Sequence, residues 1–109
     1  NINLNGIDCI TVRLGDADFL RNECPTFDLI IANINRNILT ADMDAYAGCM
    51  KSGSHIFLSG FYVDDIPAIQ ESLTLNGLSF VEYYENNRWA MVVAENSLHI
   101  NITASNQIL

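Results

Sequence analysis

Basic residues are scarce in this sequence: five lysines and arginines stand against thirteen aspartates and glutamates, leaving a formal net charge of −8. Such a surface repels phosphate backbones, so direct nucleic acid binding is not expected, whereas a basic protein partner is favoured. Long apolar runs are also missing. The longest, Trp89 to Ala94, spans six residues, far short of the ~20 that cross a bilayer, and no charged leader precedes an apolar stretch. No membrane association is expected, and a cytoplasmic location is. Cysteine is sparse and unpaired in pattern: Cys9, Cys24 and Cys49 are odd in number and form no CxxC motif. That excludes a disulfide framework and a zinc site, and no metal site of any kind is expected. Glycine, finally, occurs only at 6, 15, 48, 53, 60 and 77. None of these has the GxGxxG spacing that cradles a dinucleotide phosphate, which argues against a nucleotide-binding Rossmann half.

Half of the 109 residues are apolar, enough for the core of one domain. Ile2 and Leu4 are apolar and look like the end of an element, with Asn5-Gly6 as a helix-stop or turn signal. Ile10, Val12 and Leu14 alternate with polar neighbours as a short half-buried strand closed by Gly15-Asp16. Residues 17 to 26 read as a loop or short helical turn. Phe27-Asp28-Leu29-Ile30-Ile31-Ala32-Asn33-Ile34 carries four successive apolar residues, the mark of a strand covered on both faces in a parallel sheet. Apolar residues then recur at helical spacing, predicting a helix over about 37 to 51 with Asn37 as N-cap and Gly53 beyond its end. A second buried strand, Ile56-Phe57-Leu58, ends at Ser59-Gly60. A second helix begins at Asp64, tolerates Pro67 in its first turn and stops at Gly77. Alternating strand and helix imply a parallel sheet with right-handed crossovers. Residues 78 to 85 and 89 to 95, separated by Asn86-Asn87-Arg88, must pair as an antiparallel hairpin. Residues 97 to 109 form a polar tail, so the expected division is a domain over 1–96 and the tail.

Asn5-Gly6 before a strand, Gly15-Asp16, the Phe27 to Ile34 stretch, Lys51-Ser52-Gly53-Ser54 before Phe57-Leu58-Ser59-Gly60, and Asn87-Arg88-Trp89 opening an apolar strand together resemble the PrmA family. These are class I S-adenosylmethionine-dependent methyltransferases that act on a large-subunit ribosomal protein. The resemblance covers roughly residues 1 to 95. It implies the C-terminal half of a Rossmann-like α/β sheet, with the first strands and the glycine-rich loop of that fold absent from these residues, as is the family's separate recognition domain. It further implies a fragment of a protein-lysine N-methyltransferase, inactive by itself. S-adenosylmethionine would be the cofactor of the intact protein and a basic ribosomal protein the substrate.

Residue by residue, the resemblance places Asn33 as the catalytic group, its carbonyl accepting a hydrogen from the attacking amine, and also beside the cofactor. Asp16 and the backbone of Ala17 would hold the adenine. Ile34, Ser59, Gly60 and Phe61 would wall the substrate channel. Each has a plainer structural reading. Asn33 could cap the next helix, Asp16 could close an Asx turn, and Gly60 could serve a tight turn. Tyr62 and Trp89 could face the substrate, but Trp89 at the head of an apolar strand is expected in the core. His55 and His99 receive no role. The rival functional reading is a non-catalytic protein-interaction module on a degenerate methyltransferase fold. Because the full fold places its first strand beside residues 27 to 33, the absence of that strand predicts one of two outcomes. Either the preceding strand moves in to pair there, or the strand is left as an exposed apolar edge through which a homodimer could form.

Overall fold

The computed structural model describes residues 2–4 and 6–97; all but the first residue of the tail, 98–109, lie outside them. The chain runs β1 (Ile2–Leu4), β2 (Ile7–Val12), α1 (Asp16–Glu23), β3 (Phe27–Asn33), α2 (Arg36–Ala47) and β4 (Met50–Tyr62). A 3-10 turn (Val63–Asp65), α3 (Ile66–Leu75), β5 (Leu78–Asn86) and β6 (Trp89–Asn96) follow. One six-stranded sheet holds all the strands of the described residues in the order β1-β2-β3-β4-β6-β5. Its centre is parallel, β2 with β3 and β3 with β4, and β4 then pairs antiparallel with β6 and β6 with β5. The α/β sheet with a terminal antiparallel hairpin is as expected.

The catalytic-strand candidate, β3, is not an exposed edge. β2 lies beside it in parallel register, Cys9 opposite Leu29 and Val12 opposite Ala32. Of the two outcomes foreseen, the structure shows the preceding strand moving in, so the edge-to-edge dimer route through β3 is closed. The reason is local. Pairing satisfies a row of backbone donors and acceptors that an edge would leave to water. The Asp28 carboxylate strengthens the join by accepting the Asp8 N–H at 2.9 Å.

β3 is also not covered on both faces. Ile30 and Ala32 point into a core built with Leu20 of α1, Leu39, Met43 and Tyr46 of α2, and Ile69 and Leu73 of α3. All three helices therefore share one face of the sheet. Leu29, Ile31 and Phe57, on the other parity, are only half buried. An apolar run records that neither face is polar; it does not show that both are covered.

The element boundaries shift for similar reasons. α1 is a helix of eight residues where a loop or short helical turn was expected. Only Ala17 and Leu20 of it are buried, too few to show a periodic pattern, and acidic residues in its first turn and Arg21 in its last suit the helix dipole. Leu14, expected to face inward at the end of β2, is 72% exposed. The N-cap of α2 is Asn35, two residues earlier than the predicted Asn37, and the helix stops at Gly48. The spacing misled because Cys49 and Met50 enter the same core after the helix has ended. Asp65, not Asp64, occupies the N-cap of α3, with Pro67 in the first turn as expected. No helix among the described residues is long and apolar enough to cross a membrane.

Candidate functional site

The register of the parallel strands brings the candidate residues to one edge. Val12, Ala32 and Leu58 lie side by side across β2, β3 and β4, and Asn33 pairs opposite Ser59. Asp16 and Ala17 follow β2, Asn33 and Ile34 follow the core of β3, and Ser59, Gly60 and Phe61 lie at the same level of β4. This is the carboxyl end of the parallel strands, where open α/β sheets place their ligands.

Three asparagines crowd the end of β3 and the start of α2, and the structure separates their roles. Asn35 takes the capping position: its Oδ1 accepts the Ile38 N–H at 3.1 Å. Asn37 Oδ1 accepts the Arg36 guanidinium at 3.1 Å. Asn33 is left exposed, and its carboxamide makes no hydrogen bond to another described residue. Capping, the plainer explanation for Asn33, thus belongs to its neighbour. The Asn33 Oδ1 atom lies directly over Gly60 of β4, within 2.8 Å of where a Cβ there would stand. The backbone just beyond is pinned, the Ile34 N–H donating to the Ser59 carbonyl at 3.0 Å.

The other candidates divide. The Asp16 Oδ2 accepts the Arg13 N–H at 2.8 Å, so the carboxylate does close the β2–α1 turn, with its second oxygen uncommitted. The Ala17 methyl is buried in the core, which leaves its backbone as the part facing the edge. The side chains of Ile34 and Phe61 also belong to the core, so their contribution to a channel would be backbone and shape. Ser59 and Gly60 are half buried.

Trp89 is not a core residue. It is 51% exposed and stacks on Tyr62, ring centroids 4.3 Å apart at 28°. The two are cross-strand partners in the β4–β6 register. The pair stands over a cleft of about 360 Å³ whose wall includes Asn35, Arg36, Gly60 and Asp65, with Arg36 and Asp65 in a 3.7 Å ion pair. Sequence reasoning passed over this cleft because Trp89 heads an apolar strand. The available signal was its place immediately after the hairpin turn, where a strand has not yet entered the core. A larger hollow, about 760 Å³, lies on the helix-free face against Ile7, Leu29, Phe57, Tyr84, Met91 and Val93. Among the described residues it is the uncovered side of an apolar sheet, and it lies away from the strand ends.

The pattern of the family described as ribosomal protein L11 methyltransferase (PrmA) matches residues 1–97. The ribosomal protein L11 methyltransferase of Bacteroides fragilis is 55% identical over 92 residues, which are 84% of this chain and 32% of that protein. That of Bacteroides thetaiotaomicron is 56% identical over 92 residues with the same coverage, and that of Syntrophomonas wolfei is 32% identical over 97 residues. The chain thus spans about a third of the length of the curated relatives it matches. Among solved structures, a ribosomal protein L11 methylase from Lactobacillus delbrueckii subsp. bulgaricus superposes with a TM-score of 0.65 at 23% identity, covering 71% of this chain and 40% of that one; that likeness concerns the fold. The strand-end asparagine, the mixed sheet and the match over nearly the whole chain lead to one conclusion: the chain belongs to the ribosomal protein L11 methyltransferase (PrmA) family.

Proposed function

We propose that residues 1–96 are part of the catalytic domain of an S-adenosylmethionine-dependent protein N-methyltransferase acting on a lysine of a basic ribosomal protein in the cytoplasm. The observation that carries this reading is the state of Asn33: exposed at the aligned strand ends, relieved of capping by Asn35, and with a carboxamide that makes no hydrogen bond to another described residue.

Bound S-adenosylmethionine would supply an electrophilic methyl group on a sulfonium. The residues of this chain fit the adenine end of that molecule. The uncommitted Asp16 oxygen suits the amino edge of the base, and the unpaired N–H groups in the first turn of α1, at Ala17, suit a ring nitrogen. No glycine-rich backbone cradle for the charged amino acid end is present in this sequence. The chain's own task is to handle the acceptor. The Asn33 carbonyl accepts one amine hydrogen and so orients the nitrogen lone pair. The exposed Tyr62–Trp89 stack beside the strand end offers an aromatic wall, and desolvation of the acceptor against it would favour the neutral amine over the ammonium. The net charge of −8 draws a basic protein to the site.

On this reading the 109 residues alone bind the cofactor weakly, because each missing charged hydrogen bond forfeits roughly 1.5–3 kcal/mol. Calorimetric titration with S-adenosylmethionine is expected to show no tight one-to-one complex. In the protein encoded by the intact reading frame, Asn33→Ala is expected to lower kcat on the ribosomal protein by about 10²-fold or more, the range of a lost orienting contact. Wild-type turnover in that variant would remove Asn33 from the chemistry.

A further inference from the structure

Gly60 differs from Gly6, Gly15 and Gly53, which share its positive φ. At Gly6, Gly15 and Gly53 the backbone is left-handed, but a methyl group built there would meet nothing within 4 Å. Those positions need glycine only for its backbone freedom. At Gly60, φ is +98°, and a Cβ would stand 2.8 Å from Asn33 Oδ1, 2.9 Å from the Ile34 carbonyl oxygen and 3.0 Å from the Ile34 carbonyl carbon. It needs the freedom and the space.

The position of Gly60 in the sheet explains the crowding. Ser59 pairs with Met91 of β6 and Phe61 pairs with Ala90, so the register slips by one residue at Gly60. This is a β-bulge, a device that re-aims the strand where it occurs. On the other side of β4, Asn33 pairs with Ser59, and the Ile34 N–H holds the Ser59 carbonyl. β4 is thus normally paired to β3 up to Ser59 and bulges at the next residue, bringing the bare Cα of Gly60 under the Asn33 carboxamide.

We propose that Gly60 is a positioning residue for methyl transfer: its missing side chain is the seat on which the Asn33 carboxamide oxygen rests, and the bulge sets the direction in which that oxygen points. This rests on the reading of Asn33 as the group that faces the acceptor amine. A methyl group at position 60 would push the carboxamide from its seat by about an ångström, a displacement that costs on the order of 10²-fold in a reaction dependent on orientation.

Gly53 supplies the control, being on the same strand with a φ of +86° and open space above it. In the protein from the intact reading frame, Gly60→Ala and Gly53→Ala carry the same kind of backbone strain, and only the first meets Asn33. Gly60→Ala is expected to lower kcat by about 10²-fold while KM for the acceptor protein and the affinity for S-adenosylmethionine stay within about twofold. Gly53→Ala is expected to leave kcat within about twofold, and Gly60→Ala added to Asn33→Ala is expected to cost no more than about twofold beyond Asn33→Ala alone, the scatter of non-interacting pairs. Equal kcat for Gly60→Ala and Gly53→Ala, or a full additional loss on the Asn33→Ala background, would overturn the proposal. Should Gly60→Ala fail to fold, the double variant with Asn33→Ala decides. Recovery of its melting temperature to that of Gly53→Ala supports the seat, and no recovery assigns the crowding to the Ile34 backbone instead. Failure of the Asn33 reading has its own signature. Asn33→Ala would then turn over normally, while the Asn33 side-chain amide resonances would still move in Gly60→Ala and stay in place in Gly53→Ala.

Discussion

Tyr46 is fully buried, and its hydroxyl finds no partner among the described residues. A buried polar group without a hydrogen bond costs about 1–3 kcal/mol. Tyr46→Phe is therefore expected to leave chemical-denaturation stability unchanged or raise it by about 1 kcal/mol, and a loss beyond that size would show that the hydroxyl has found a partner. Burial also pushes the Tyr46 pKa up, to about 12. Because the folded value lies above the ordinary value of 10.0, the unfolded chain sheds its proton first. The contribution is intact below pH 10 and declines as pH rises towards 12. The Phe variant is expected to lose that part of the alkaline decline in stability. Ser54 is the opposite case, a buried hydroxyl donating to the Phe27 carbonyl at 2.7 Å where the β3–β4 register slips. Residue identity alone does not distinguish these two hydroxyls, any more than it ranks Asn33, Asn35 and Asn37. All three asparagines were visible in the sequence as a cluster at a strand end, but which one caps and which is left free depends on where the helix starts, to a single residue.

At the scale of elements, the hairpin was the most legible part of the chain. Two strands separated by a two-residue turn at Asn87-Arg88 pair antiparallel with each other, and both turn residues have positive φ, 52° and 71°, as a tight hairpin turn of the primed kind demands. Arg88 is an uncommon residue for that conformation, which costs an L-residue roughly 1–2 kcal/mol. Against this it gains an exposed ion pair with Asp64, worth about 0–1 kcal/mol. Arg88→Gly is thus expected to be neutral or stabilising by up to ~1 kcal/mol in thermal melts, despite removing a visible salt bridge; a clear loss would mean the ion pair outweighs the strain. The least legible element was α1, because eight residues with two buried positions carry no period. The β2–β3 join was foreseen as one of two outcomes, and its acid sensitivity follows from Asp28. The Asp8 N–H, assisted by Lys51, holds that carboxyl below its usual range. A depressed carboxyl contributes above the unfolded pKa, about 3.9, and the contribution is lost as pH falls through the lower folded value. Asp28→Asn is expected to flatten the fall in stability below about pH 4. An unchanged acid profile would exclude Asp28 as the source.

At the scale of the whole molecule, the described residues form a two-layer arrangement, with their three helices on one face of the sheet and none of them on the other. Val93 and Cys9 are buried yet lie outside the helix-side core, so the open face carries apolar substance of its own, together with Leu29, Ile31, Phe57 and Met91. Contiguous apolar faces of this kind associate. The 109-residue chain is expected to bind a hydrophobic dye and to show an apparent mass that rises with concentration in light scattering. Phe57→Lys is expected to reduce both. A clean monomer at every concentration would count against it, and the net charge of −8 is the force that could produce one.

The sequence by itself determined five of the six strands, two of the helices, the hairpin and the family, because these depend on short-range patterns of apolar spacing, turn residues and motif letters; β1, three residues long, carried no such pattern. Only the tertiary structure decided which neighbour β3 takes, that one face of its apolar run is left uncovered, that Trp89 stands at a cleft instead of in the core, and that the Asn33 carboxamide rests on Gly60. Each of these is set by residues distant in the chain meeting across a sheet, through register, a one-residue bulge and the side on which helices pack. Local pattern carries no record of which distant surface a residue will meet.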